Sequence, residues 1–122
     1  MPGFELFGDA ERKEVKDVLA YMRVIENLND EESLRRIINF PPRGIGQTTL
    51  DKLVIISKDH DVSLFNAISK IDRNSKVFNS RTMEKLEDFK NLILSFKIYS
   101  ERNNAYETAN LVIHKTKLID FY

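Results

Sequence analysis

The 122 residues contain no cysteine and no tryptophan, only four glycines and three prolines, and their 19 Lys and Arg are balanced by 19 Asp and Glu. Without cysteine the chain can hold neither a disulfide framework nor a thiolate metal or catalytic site. A net charge of zero argues against a surface that grips nucleic acid over its whole extent. No apolar run approaches the ~20 residues that a bilayer-crossing helix needs, and no secretory signal pattern opens the sequence. The chain has no Gly-x-x-x-x-Gly-Lys-Ser/Thr loop to cradle a triphosphate, and no acidic pair after an apolar strand to hold magnesium. His60 and His114 each lack a second histidine at metal-ligand spacing, and no nucleophile–base set can be assembled, so no catalytic residue and no metal ligand is assigned. These absences, with 42% hydrophobic residues to build a core, predict a soluble, intracellular, single domain spanning 1–122.

What is present reads as all helical. Val15, Val18, Leu19, Met22 and Ile25 recur at helical spacing from about Ala10 to Glu26 and predict one buried stripe. Asn29 with Glu32 forms a capping-box pattern opening a short helix that carries Leu34, Ile37 and Ile38 on one side, and Pro41 and Pro42 end it. A third helix is expected from about Thr49 to Lys58, with Leu50, Leu53, Val54 and Ile56 inward. Ser63 caps a short fourth with Leu64, Ala67, Ile68 and Ile71. Asp72 to Asn79 is polar, lacks periodicity and reads as the longest loop. A fifth helix, the longest, runs from Arg81 to about Glu101 behind a Ser80 cap, with Leu86, Phe89, Ile93 and Phe96 on one face. Asn104 and Glu107 repeat the capping-box pattern before a sixth, which carries Ala105, Ala109, Val112 and Ile113. Phe89, Phe96 and Tyr106 suit core positions, and none is interleaved with a basic run as a base-stacking platform would be. No period-two alternation marks a strand, and there is no internal repeat.

Between the second and third helices stands Pro41-Pro42-Arg43-Gly44-Ile45-Gly46-Gln47-Thr48-Thr49, which holds two of the four glycines. Gly44 and Gly46 can take positive φ and allow the main chain to approach a ligand closely. Ile45 between them can anchor the turn, and Thr48 or Thr49 can cap the next helix. The amides and dipole of that helix start favour an anion. Such a helix, hairpin and helix can hold DNA backbone phosphates through main-chain amides without reading bases. The same residues also suit a tight turn joining two packed helices. Charge is distributed in favour of the first reading: residues 1–32 have 4 basic and 9 acidic side chains, whereas residues 33–53 have 4 basic and 1 acidic. A local positive patch of this size fits a small phosphate contact better than a long groove.

The wider pattern runs from Arg12-Lys13-Glu14-Val15-Lys16-Asp17-Val18-Leu19-Ala20-Tyr21-Met22-Arg23-Val24 through Asn29-Asp30-Glu31-Glu32 and Arg36-Ile37-Ile38-Asn39 to the hairpin. It resembles the UvrD/PcrA/Rep helicases, strongly from Arg12 to about Leu53 and collinearly through Val62-Ser63-Leu64-Phe65 and the long helix beyond. In that family such a helix leads from the second motor domain into an inserted subdomain, 2B, that carries a Gly-Ile-Gly turn. Met1 to Glu11 departs from the Gly-Gly step and paired aromatics usual there. The family's later Arg-x-Glu-Asn-x-x-Glu-Leu helix is absent, which places the C-terminal part of 2B outside these residues.

The resemblance implies an all-α 2B-type accessory subdomain of an ATP-dependent DNA helicase of repair and replication, cytoplasmic and nucleoid-associated in a bacterium. ATP and magnesium act in the motor domains, and this segment holds no cofactor. Its partners are the duplex DNA backbone, those motor domains, and repair or transcription proteins, with no membrane. On this reading Arg43 contributes a charge-assisted phosphate contact, Gly44, Ile45 and Gly46 form the close approach, and Gln47, Thr48 and Thr49 donate at the helix start. Lys16 and Asp17 lie at the junction with the motor domain and read as a hinge salt bridge or as a solvated face. Asp30 and Glu31 read as a regulatory repulsion of DNA or as a favourable charge at a helix N-terminus. A competing reading is a protein–protein module docking through the Leu86, Phe89 and Phe96 face.

Overall fold

The computed structural model describes residues 9–74 and 76–117, which form six α-helices and one 3-10 turn with no strand among them. They are α1 (Asp9–Glu26), α2 (Glu31–Ile37), α3 (Gln47–His60), α4 (Leu64–Ala67) running directly into the 3-10 turn Ile68–Lys70, α5 (Ser80–Ser100) and α6 (Ala105–Thr116). The all-α class and the order of six helices agree with the sequence reading. Most of the divergent Met1 to Glu11 lead lies outside the described residues.

Helix starts follow local hydrogen bonding, and three differ from expectation. The cap of α2 is Asp30, not Asn29: its carboxylate accepts from the Ser33 amide at 3.1 Å and from the Ser33 hydroxyl at 3.0 Å. The Asn29 amide instead donates to Asn27 Oδ1 at 3.0 Å, which turns the chain one residue later. Helix α3 begins at Gln47 with Gly46 as its cap, so Thr48 and Thr49 lie inside its first turn. Asn79 rather than Ser80 caps α5, accepting from the Thr82 amide at 2.8 Å. Ser63 caps α4 as read from sequence, and both halves of the Asn104–Glu107 capping box are formed.

Helix α1 is the centre of the molecule and packs on α2, α5 and α6, while α3 lies on α4. Its buried line is Asp17, Ala20, Tyr21, Val24 and Ile25, whereas Leu19 is 46% exposed and Val18 and Met22 are partly buried. The stripe expected from aliphatic spacing is therefore turned round the helix, because Asp17 and Tyr21 go inward with their polar atoms satisfied. On α5 the expected face is correct: Leu86, Phe89, Ile93 and Phe96 are all buried. Tyr21 meets Phe96 edge-on, ring centroids 6.3 Å apart. In α6 the buried positions are Thr108, Val112 and Thr116, and Ala105 is exposed. Both threonine hydroxyls donate to carbonyls one turn back, Asn104 and Val112, which makes their burial affordable in hydrogen-bond terms. The 72–79 loop is pinned by a residue that its polarity hides. Phe78 is buried, and Lys52 of α3 donates to the Val77 carbonyl at 3.0 Å.

Candidate nucleic-acid interface

The hairpin between α2 and α3 is built from behind by two side chains. Asn39, just past α2, accepts from the Arg43 amide at 2.8 Å and from the Ile45 amide at 3.1 Å, so one amide oxygen organises the loop. Arg43 then folds back under it. Its Nη1 donates to the Ile37 and Ile38 carbonyls at 3.0 and 3.3 Å, and its Nη2 donates to the Tyr21 hydroxyl at 2.7 Å. The guanidinium also stands 4.8 Å from the centre of the Phe89 ring. A cation at the C-terminal carbonyls of α2 meets the negative end of that helix. Arg43, expected from sequence to reach a phosphate, is thus turned into the protein as a latch joining α1, α2 and α5. Nη2 also reaches the Phe40 carbonyl at 3.5 Å, so the two terminal nitrogens of the fork make all four of these contacts.

The loop's outer side is different. Ile45 is buried and anchors the turn as expected, while Gly44, Gly46, Gln47 and Thr48 are exposed and Thr49 is half-buried. Gly44 has a φ of 82°, the left-handed conformation that glycine adopts without penalty. Gly46 does not: its φ is −87° and ψ −175°, an extended conformation open to any residue, with nothing within 4 Å of where a Cβ would stand. As the cap of α3, Gly46 supplies no side-chain acceptor, so the first-turn amides of Gln47, Thr48 and Thr49 carry no side-chain cap. The Gln47 side chain is engaged with Asp51 Oδ1 at 2.8 Å.

Two residues of this site were not singled out from sequence. Asn39 had a local signal, an Asx residue placed ahead of a glycine turn. Lys85 of α5 had none. Its ammonium lies so close to Gly44 that a Cβ there would collide with it. Burial pushes the Tyr21 phenol above its ordinary value of 10.0, with the neighbouring Arg43 charge partly offsetting that rise.

The other sequence candidates are dispersed. Asp17 is buried and accepts from Arg36 Nε at 2.7 Å, so it ties α1 to α2 instead of forming a solvated face, while Lys16 is exposed. Asp30 caps α2, and Glu31 Oε1 accepts from the Leu64 amide at 3.2 Å, which fastens the start of α4 to α2. Leu86, Phe89 and Phe96 are closed inside the chain's own core, so the docking face expected of them is not open to a partner. Tyr106, expected in the core, is 76% exposed. No helix among the described residues is long and apolar enough to cross a membrane.

The described residues thus make an all-α unit organised round a helix-hairpin-helix whose arginine turns inward. The chain belongs to the UvrD-like helicase C-terminal domain family, whose model matches residues 3–118. It is 34% identical over 116 residues to ATP-dependent DNA helicase PcrA of Staphylococcus aureus (strain NCTC 8325 / PS 47), a match covering 95% of this chain and 15% of that protein. It is 32% identical over 112 residues to DNA helicase II of Haemophilus influenzae, covering 92% and 15% respectively. A shorter match, 46% over 72 residues, joins it to ATP-dependent DNA helicase PcrA of Staphylococcus epidermidis, covering 59% and 10%. These matches span 10% to 15% of the relatives' own lengths.

Proposed function

We propose that this chain is a 2B-type accessory subdomain of an ATP-dependent DNA helicase and that its hairpin rests on the backbone of duplex DNA. The observation that carries the reading is the two-sidedness of residues 43–47. The inner side is held by Asn39, Arg43 and Ile45, and the outer side presents Gly44, Gly46 and the uncapped first turn of α3. Main-chain amides on a rigid support bind phosphate oxygens irrespective of base sequence. ATP and magnesium belong, on this proposal, to motor domains that this chain adjoins, and it performs no ATP hydrolysis itself. Its orientation relative to those domains would govern unwinding, and repair or transcription proteins would meet the assembled enzyme.

The test is titration of fluorescent duplex, and of a duplex with a single-stranded extension, with the 122-residue chain at low and moderate salt. Binding that is indifferent to sequence and falls steeply with salt is expected. Absence of binding at low salt, or a preference for one base sequence, would overturn the reading.

A further inference from the structure

We infer that Lys85 supplies the cationic contact of the hairpin's phosphate site, the role that sequence alone assigns to Arg43. The inference rests on the hairpin reading above and adds a residue from a different helix to it. Arg43 cannot turn outward without releasing the Ile37 and Ile38 carbonyls, the Tyr21 hydroxyl and its seat over Phe89. Its charge is already shared with the C-terminal end of α2. Amides alone can orient a phosphate, but a full negative charge is met best by a cation beside them.

Lys85 is placed for that. Its half-buried stem brings the ammonium against Gly44, at the exposed crest of the turn. The hydrogen bonds and ion pairs of the described residues leave this ammonium without a protein acceptor, and neither Glu84 nor Asp88, its acidic neighbours on α5, pairs with it. An ammonium has three donors and accepts nothing, so its remaining partners are solvent or an anion. Gly44 is the complement to this placement: with no side chain, it allows Nζ and the backbone to reach one ligand atom together. Arg81 stands four residues earlier on the same helix, exposed, and extends the positive stripe by one turn, about 5.4 Å. The hairpin and the first turns of α5 thus form two walls of a phosphodiester seat.

The experiment compares the parent 122-residue chain with Lys85→Gln and Lys85→Arg by duplex titration between 50 and 200 mM salt, with thermal melting of each as a fold check. Loss of one phosphate contact should make the salt slope of Lys85→Gln shallower by about 0.9, so that its affinity deficit against the parent narrows ~3.5-fold across that range. Lys85→Arg should keep the parent's slope, and all three should melt alike. If the parent binds and Lys85→Gln matches it in affinity and slope, the Lys85 assignment is overturned and the hairpin reading stands. If the parent itself binds no duplex at the lowest salt, both fall.

Discussion

The Tyr21 hydroxyl accepts from Arg43 Nη2 at 2.7 Å and donates to the Phe40 carbonyl at 2.6 Å. One buried phenol in α1 therefore satisfies both ends of the segment that leads into the hairpin. Tyr21→Phe keeps the edge-on contact with Phe96 and removes only that oxygen, taking the 2.7 Å acceptor from Arg43 Nη2 and the 2.6 Å donor from the Phe40 carbonyl at a part-buried junction. The expected cost is about 1–3 kcal/mol, read as a lowered urea midpoint without change in helical content. A variant as stable as the parent would show that the hydroxyl is not a structural tie.

The same phenol predicts how stability responds to alkali. Burial raises its folded pKa above the unfolded value of 10.0, so the unfolded chain ionises first. The stability it contributes is whole below that value and is lost as pH rises through the folded pKa. Melting temperatures from pH 8 to about pH 11 should accordingly fall more steeply for the parent than for Tyr21→Phe above pH ~10. Parallel curves would mean that the phenol titrates alike in both states.

Arg43→Ala should behave as a stability mutation. It removes charge-assisted bonds to two helix-end carbonyls and a hydroxyl, and the expected loss is on the order of 2 kcal/mol. Arg43→Lys should recover little, because an ammonium cannot reproduce the planar fork that reaches Ile37, Ile38 and Tyr21 together. The salt slope of duplex binding should stay that of the parent for both variants while they are folded. A slope shallower by about 0.9 would return Arg43 to the phosphate.

Much of the fold was legible because it is governed by local rules. The Leu86–Phe96 stripe, the Ser63 cap and the Asn104–Glu107 box are each set within a few residues. What was hidden was set by distance. Tyr21 and Asp17 look like surface residues until partners 22 and 19 positions away, Arg43 and Arg36, take their polar atoms. Phe78 sits in a stretch whose polarity masks one buried ring. In the site, the glycine turn was visible and Asn39 could have been found, being four residues before Arg43. The inward turn of Arg43 could not, since it depends on the ring of Phe89, and neither could Lys85, whose approach to Gly44 depends on how α5 lies across the hairpin.

The two hairpin glycines should separate under mutation, contrary to their symmetrical look in sequence. Gly44→Ala forces a left-handed backbone on a residue with a Cβ, at roughly 1–2 kcal/mol, and pushes against Lys85. Gly46→Ala meets no atom and requires no unusual φ. Gly46→Ser is the informative variant. A serine cap should stabilise α3 by a few tenths of a kcal/mol while its hydroxyl occupies a first-turn amide, so melting temperature should rise and duplex affinity fall together. Affinity that is unchanged, or that rises with stability, would mean that those amides take no part in binding.

Asp30 separates a helix cap from a charge effect. Its carboxylate holds the Ser33 amide and hydroxyl, so Asp30→Ala should cost about 0.5–2 kcal/mol, whereas Asn caps as well as Asp and Asp30→Asn should melt like the parent. Asp30→Asn nonetheless removes one negative charge. The seven residues of α2 separate it from the hairpin, a rise of roughly 10 Å. That distance lies inside the ~30 Å Debye length of 0.01 M salt and beyond the ~8 Å of physiological salt. If Asp30 restrains DNA contact by repulsion, Asp30→Asn should bind duplex more tightly than the parent at 0.01 M, and the gain should vanish near 0.15 M. Equal affinities at both salts, with Asp30→Ala alone less stable, would leave Asp30 with the single task of starting α2.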